Sequence, residues 1–351
     1  MIDFLIVGQG IAGTILSYIL TDRGYRVMVI DKQTPHSSSR VAAGIYNPVT
    51  GRVMKKTWLA DTLFHRLVPF YRKMEADLKV DFLNELPIYR PFISMEEQND
   101  WVGKSAEGDF DSYVEKVAVE AMFPDDLNDH YGGLLLKNSG YLDIPLMLDA
   151  WRQKLTAAGS YRNEAFTEES MELTDEGISY KDIKAKKVIF CQGNGAVDSR
   201  YFGWLPFRPV KGEVLTVSAP SDAEVIYNRG VFMLPKGGGT FRVGATYNWR
   251  ILDTEPTDEA REELLDRLKQ LYSHPVTVEN HIAGIRPATK DRKPFAGVHP
   301  EYKAVAVFNG LGTKGVSLAP HFGEQMADFL CSGTELSPEV NITRFYSLYF
   351  H

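Results

Sequence analysis

The hexapeptide Gly8-Gln9-Gly10-Ile11-Ala12-Gly13 constrains this chain more than any other feature. It follows the apolar run Phe4-Leu5-Ile6-Val7 and opens a helical pattern from Ile11 to Arg23, with Gly24 as the stop. A second apolar run, Val27-Met28-Val29-Ile30, ends at Asp31. Two such runs joined by a helix within about thirty residues form a strand–helix–strand unit, which needs a parallel sheet buried on both faces. Each glycine has its own task. Gly8 allows the tight turn, Gly10 lets a pyrophosphate approach the backbone, and Gly13 lets the helix lie close to the sheet. The helix N-terminus, with Ile11 and Ala12 in its first turn, offers free amides and the positive end of a dipole. Asp31 sits where a ribose diol needs an acceptor, and Lys32 follows it. The pattern predicts a Rossmann-type dinucleotide site and leaves the choice between FAD and NAD open.

Residues 32–57 are rich in turn formers: Pro35, three serines, Gly44, Asn47-Pro48 and Gly51. So long an irregular segment inside a compact domain is more often functional than idle. Trp58 to Lys79 reads as a long helix disturbed at Pro69, and residues 80–139 as short strands and turns. Asp143 to Ala158 is helical, with Asp143 as N-cap and Pro145 in the first turn. Residues 187–191 and 304–308 are buried strands, each running into glycines. Segments 213–218, 230–234 and 240–244 alternate as antiparallel strands do. Thr257 to Tyr272 is a charged amphipathic helix, and residues 316–331 form a last one.

The fold expected is α/β (α+β overall). A Rossmann-type domain with a parallel central sheet takes residues 1–79, 140–207 and 280–351. A substrate domain with a mainly antiparallel sheet takes 80–139 and 208–279.

The charge balance, 46 acidic against 39 basic residues and a net −7, argues against broad binding to nucleic acid or to an anionic membrane. No run of about 18 apolar residues marks a transmembrane helix. Asp3 interrupts the first apolar run too early for a signal peptide. The two cysteines, Cys191 and Cys331, form no zinc or disulfide pattern and fit a cytoplasmic setting. His65, His281, His299 and His321 show no metal-ligand spacing, so no metal is expected.

A more specific signal lies in the second half. The run Gly284-Ile285-Arg286-Pro287-Ala288-Thr289-Lys290-Asp291-Arg292-Lys293-Pro294-Phe295-Ala296-Gly297 precedes Asn309-Gly310-Leu311-Gly312-Thr313-Lys314-Gly315-Val316. This pairing resembles the D-amino acid oxidase and glycine oxidase superfamily of FAD-dependent oxidoreductases. Ser39-Arg40-Val41-Ala42-Ala43-Gly44 is similar to that family's loop reaching the flavin, and Val188 to Gly193 to its strand nearing the cofactor. Phe232-Met233-Leu234-Pro235 and Arg242-Val243-Gly244-Ala245-Thr246 look like its paired strands beside the substrate.

The resemblance implies an FAD enzyme that oxidises a small amine or amino acid to the imine. Hydride would pass from the α-carbon to flavin N5, with O2 or another acceptor reoxidising the flavin. The implied cofactor set joins Gly8, Gly10, Ile11, Ala12, Gly13, Asp31 and Lys32 to Ser39, Arg40, Ala43, Gly44, Phe166, Cys191 and Gly193. Gly310, Gly312, Thr313, Lys314, Gly315, Val316 and Arg286 complete it. Near Thr289 and Lys290, where sarcosine oxidases of this family carry a covalent-flavin cysteine, there is none, which implies a non-covalent FAD.

Three cations are the candidate catalytic residues. Arg286 matches the family's arginine for the substrate carboxylate, a task suited to a guanidinium fork; a structural ion pair with an internal acid is the alternative. Lys314, at the start of the last helix, would add to a positive end that steadies negative charge near flavin N1 and O2; a solvated loop lysine is the alternative. Arg242 falls where sarcosine oxidases carry a lysine at the flavin, and Phe241 and Val243 should face away from it; a surface strand arginine is the alternative. Phe232 replaces a glycine oxidase tyrosine, which removes one substrate hydrogen bond. Tyr247 and Trp249 read as packing or as cavity lining.

Other functions stay open at this point. One is a tRNA-modifying FAD oxidase acting on an aminomethyl-uridine, and another is a non-catalytic flavin-binding protein. A third, a nicotinamide-dependent dehydrogenase, leaves the C-terminal glycine loop without a task.

Overall fold

The computed structural model describes residues 1–50 and 54–350, so Gly51 of the turn-rich segment lies outside it. The strand Ile2–Val7 pairs in parallel with Val27–Asp31 on one side and Ile183–Phe190 on the other. Tyr161–Asn163 and Val305–Asn309 extend the parallel sheet outward. The hairpin of Met171–Thr174 and Gly177–Tyr180, with Phe295–Val298, completes eight strands.

Alternation sorts the central side chains into two layers. Phe4 and Ile6 pack with Ile15, Ile19, Phe322 and Met326 of the first and last helices, whereas Leu5 and Val7 pack with Phe190 and Phe202. Burial on both faces is why these strands read as unbroken apolar runs. It contributes about 1.5–3 kcal/mol per large side chain.

A second eight-stranded sheet runs in the order Thr277–Arg286, Val210–Ser218, Thr240–Gly244, Val231–Gly237, Ile226–Arg229, Ile88–Pro91, Gly133–Leu136, Val114–Ala118. Its neighbours are antiparallel except Ile226–Arg229 with Ile88–Pro91. Leu215, Val217, Phe241 and Val243 bury one face against Leu264 and Leu268 of the helix Asp258–Leu271. The other face carries Val210, Gly212, Val214, Gly244, Gly284 and Arg286 into a large cavity.

Helix ends follow their caps. Asp143 accepts from the Leu146 amide, and Gly24 takes a positive φ of 83° after the first helix. The helix Ala60–Leu78 runs on through Pro69. The segment 80–139 differs from expectation by holding a helix, Met95–Ala106. Its signal is a capping box: Ser94 accepts from the Glu97 amide, and Glu97 stands three residues on. Among the described residues no helix is long and apolar enough to cross a membrane.

Candidate active site

One cavity of about 2140 Å3 collects residues from both sheets. That is well above the roughly 300–1,000 Å3 of a pocket for one drug-sized ligand. Two helices point their N-termini into it, Ile11–Asp22 and Gly315–Ser332. Neither has a side-chain cap or an acidic residue in its first turn. They lie side by side, since a Cβ on Gly315 would stand 3.0 Å from the Ile11 side chain. Apart from the Ile11 amide, which donates to a serine of the turn-rich loop, the amides at these two positive dipole ends suit anionic groups.

The opening turn is forced to be glycine. Gly8 has a φ of +99°, and a Cβ there would fall 2.5 Å from the Cys191 carbonyl oxygen. A Cβ on Gly13 would fall 1.9 Å from the Gly8 oxygen. Gly13 lies behind the cavity wall and serves helix-to-turn packing. The Ile11 amide donates to Ser39 Oγ at 3.1 Å, which ties the turn-rich loop to the helix start. Asp31 accepts from the backbone amides of Gln9 (3.0 Å) and Gln33 (2.8 Å), which aims its carboxylate before any ribose arrives.

Gly10, Ala12, Lys32, Arg40, Ala43, Gly44, Phe166, Gly193, Gly310, Gly312, Thr313 and Val316 line the same space, and Arg40 is paired with Asp149. Cys191 lines it too, and burial pushes its thiol far up, so it is no nucleophile. An elongated dinucleotide with a pyrophosphate fits these glycine-cleared walls and open amides.

Arg286 closes the strand Thr277–Arg286, and its guanidinium lies flat across Gly212 of the next strand. One nitrogen donates to the Thr246 carbonyl at 3.1 Å, and the group sits 4.6 Å over the Tyr247 ring. Among the described residues no carboxylate pairs with it, so the alternative of an internal ion pair is not what the structure shows. Burial pulls its pKa below the ordinary arginine value. Lys314 also lines the cavity half-buried, without a hydrogen-bond or ion-pair partner among the described residues; burial first, then Arg292, pulls its pKa down.

Arg242 is engaged with the backbone of the loop that lines the cavity. Phe241 and Val243 do pack on the opposite face. Its guanidinium, however, donates to the Val41 (2.8 Å) and Ala42 (3.3 Å) carbonyls and does not reach the cavity lining. It straps the loop Ser39–Gly44 to the second sheet.

Gly212, Arg208, Lys290 and Arg292 are lining residues that were not anticipated, whereas for Tyr247 and Trp249 cavity lining was one of two readings. Gly212 leaves room for the Arg286 head, and its strand partner Gly284 leaves room for the Val41 side chain. Arg208, Lys290 and Arg292 are exposed lining cations. Tyr247 and Trp249, 53% and 63% exposed, stand at the cavity and are not core packing.

A family model described as FAD dependent oxidoreductase matches residues 3–329. The glycine oxidase of Geobacillus kaustophilus is 25% identical over 360 residues, 93% of this chain and 92% of that protein. A tRNA 5-methylaminomethyl-2-thiouridine biosynthesis bifunctional protein of Marinobacter nauticus is 24% identical over 97% of this chain, which spans only 58% of that protein. The crystal structure of iminodiacetate oxidase from Chelativorans sp. BNC1 superposes with a TM-score of 0.79 at 21% identity, covering 97% of this chain and 98% of that one.

Proposed function

We propose, for a chain that belongs to the family of FAD-dependent oxidoreductases, the oxidation of a small amine or amino acid that carries a carboxylate. The observation that carries this reading is Arg286: a half-buried guanidinium that faces the cavity with no acid beside it among the described residues. A buried cation without a counter-ion is costly, and a ligand carboxylate is its natural complement. Bound FAD supplies the acceptor for the hydride of the substrate C–H bond. The protein's part is to hold and orient.

Gly8, Gly10 and the helix start at Ile11 would take the pyrophosphate, with Asp31 on the ribose. The last helix and Lys314 would hold negative charge at the far end. Arg286, laid across Gly212, would fix the carboxylate. A neutral amine needs no dedicated base. The missing cysteine near Thr289 favours a dissociable FAD, and two free cysteines suit the cytoplasm.

The test is spectroscopic. Amines and amino acids are mixed anaerobically with the yellow holoprotein, and bleaching of the flavin bands is recorded. Arg286→Ala should keep FAD yet raise the apparent KM for a carboxylate-bearing substrate about 100-fold. Unchanged affinity in that variant counts against the assignment.

A second reading, oxidation of an aminomethyl-uridine in RNA, draws support from Arg208, Lys290 and Arg292. None of the three has a side-chain partner among the described residues, and all face the cavity. RNA affinity that falls steeply with salt would favour it.

A further inference from the structure

The segment after the strand Thr240–Gly244 exposes four large apolar side chains in succession: Tyr247 (53%), Trp249 (63%), Ile251 (47%) and Leu252 (43%). Tryptophan is among the most buried residue types on average, so a ring left this open at a cavity edge calls for a partner. The Tyr247 and Trp249 rings face each other at 27° with centroids 6.2 Å apart, and both line the cavity.

This loop is also held still. The Asn248 backbone pairs both ways with Lys211, at 2.8 and 3.0 Å. Asn248 Oδ1 accepts from the Arg250 and Ile251 amides at 2.8 and 3.1 Å. Fully buried Lys211 donates to Asp253 at 2.6 Å and to the Glu255 carbonyl. A fixed, solvent-facing aromatic pair is preorganised for binding, because little ordering entropy remains to be lost.

Its place in the site identifies the ligand. The Arg286 guanidinium covers one side of Tyr247 at 4.6 Å, so the carboxylate position and the ring pair are adjacent. We propose that Tyr247 and Trp249 form an outer subsite for a planar ring, and that the substrate is a carboxylate-bearing amine with an aromatic or heterocyclic substituent, larger than glycine. This rests on the reading of Arg286 as the carboxylate anchor. Ring stacking supplies selectivity for a planar group, and Arg286 supplies the polar end.

The experiment uses the holoprotein and three probes, acetate, phenylacetate and cyclohexylacetate, titrated against the visible flavin spectrum. Phenylacetate should bind about ten-fold tighter than acetate and clearly tighter than its non-planar analogue. In Trp249→Ala and in Tyr247→Leu the ratio of phenylacetate to acetate affinity should fall towards one. A ratio that these variants leave unchanged overturns the subsite, as does failure of phenylacetate to bind. So does sedimentation showing that Trp249 is the contact of a dimer that Trp249→Ala dissociates. The underlying carboxylate assignment fails separately, through Arg286→Ala with unaltered acetate affinity.

Discussion

Gly212→Ala tests the geometry of the anchor without touching a charged group. A Cβ at Gly212 would stand 2.0 Å from Nη2, 2.2 Å from Cζ and 2.3 Å from Nη1 of Arg286. Ordinary carbon contacts lie near 3.5–4.0 Å, so the head must retreat by about 1.5 Å. It is the far end of a flexible side chain, and retreat costs the fold little. Alanine in a strand interior even offsets part of that cost, because glycine there is unfavourable.

Binding should suffer instead. A charge-assisted hydrogen bond contributes about 1.5–3 kcal/mol and depends on alignment, so its loss lowers carboxylate affinity about 10- to 100-fold. The assay compares apparent affinity for a carboxylate ligand, flavin content and Tm between wild type and variant. The expected pattern is a weakened ligand with FAD retained and Tm within a few degrees. Unchanged affinity in a folded, yellow variant refutes the placement of Arg286 across Gly212. Equal damage toward an amine without a carboxylate refutes the anchor's specificity.

Gly13→Ala places a Cβ 1.9 Å from a backbone oxygen that cannot step aside, so flavin content should collapse and stability drop by at least ~2 kcal/mol, read by absorbance and thermal unfolding. Arg242→Met removes the strap on Val41 and Ala42; hydrogen exchange should quicken in the segment Ser39–Gly44, and FAD should dissociate about ten-fold faster. Unaltered exchange there would contradict the strap. Asp3 is held down to about 2 by its bond to Lys186, helped by the Arg26 amide. A depressed folded value means stability that is present above pH 4 and is lost as pH falls from about 4 to 2. Asp3→Asn should therefore cost about 1 kcal/mol at pH 7, after allowance for solvent screening, and converge with wild type near pH 2 in urea titrations.

What could be read in advance was local. The strand Ile2–Val7, its glycine turn and the helix that follows are specified within a few residues of one another, and they stand where the pattern put them. Thr277–Arg286 was harder to see. Its polar positions Glu279 and His281 blur the alternation, and pairing along Val210–Ser218 makes it a strand. The helix Met95–Ala106 buries only Gln98 and Trp101, too thin an apolar face to show as a period. Alternation placed Arg242 on the correct face, yet its partners are loop carbonyls 200 residues away. Likewise the need for Gly212 exists only once the register with Thr277–Arg286 brings the Arg286 guanidinium across it. Exposure of Tyr247 and Trp249 depends on the anchoring of their loop by Lys211, a contact that spacing does not disclose.

The central sheet joins strands from opposite stages of synthesis. Ile2–Val7 borders Ile183–Phe190, which in turn borders Val305–Asn309, and the second phosphate-friendly helix begins only at Gly315. At about 5–20 residues per second, the first half of the site leaves the ribosome tens of seconds before the second. Cofactor loading must therefore wait until the segment from Val305 to the helix at Gly315 has been made. A nascent chain interrupted earlier would own the fingerprint turn and still have nothing to grip with.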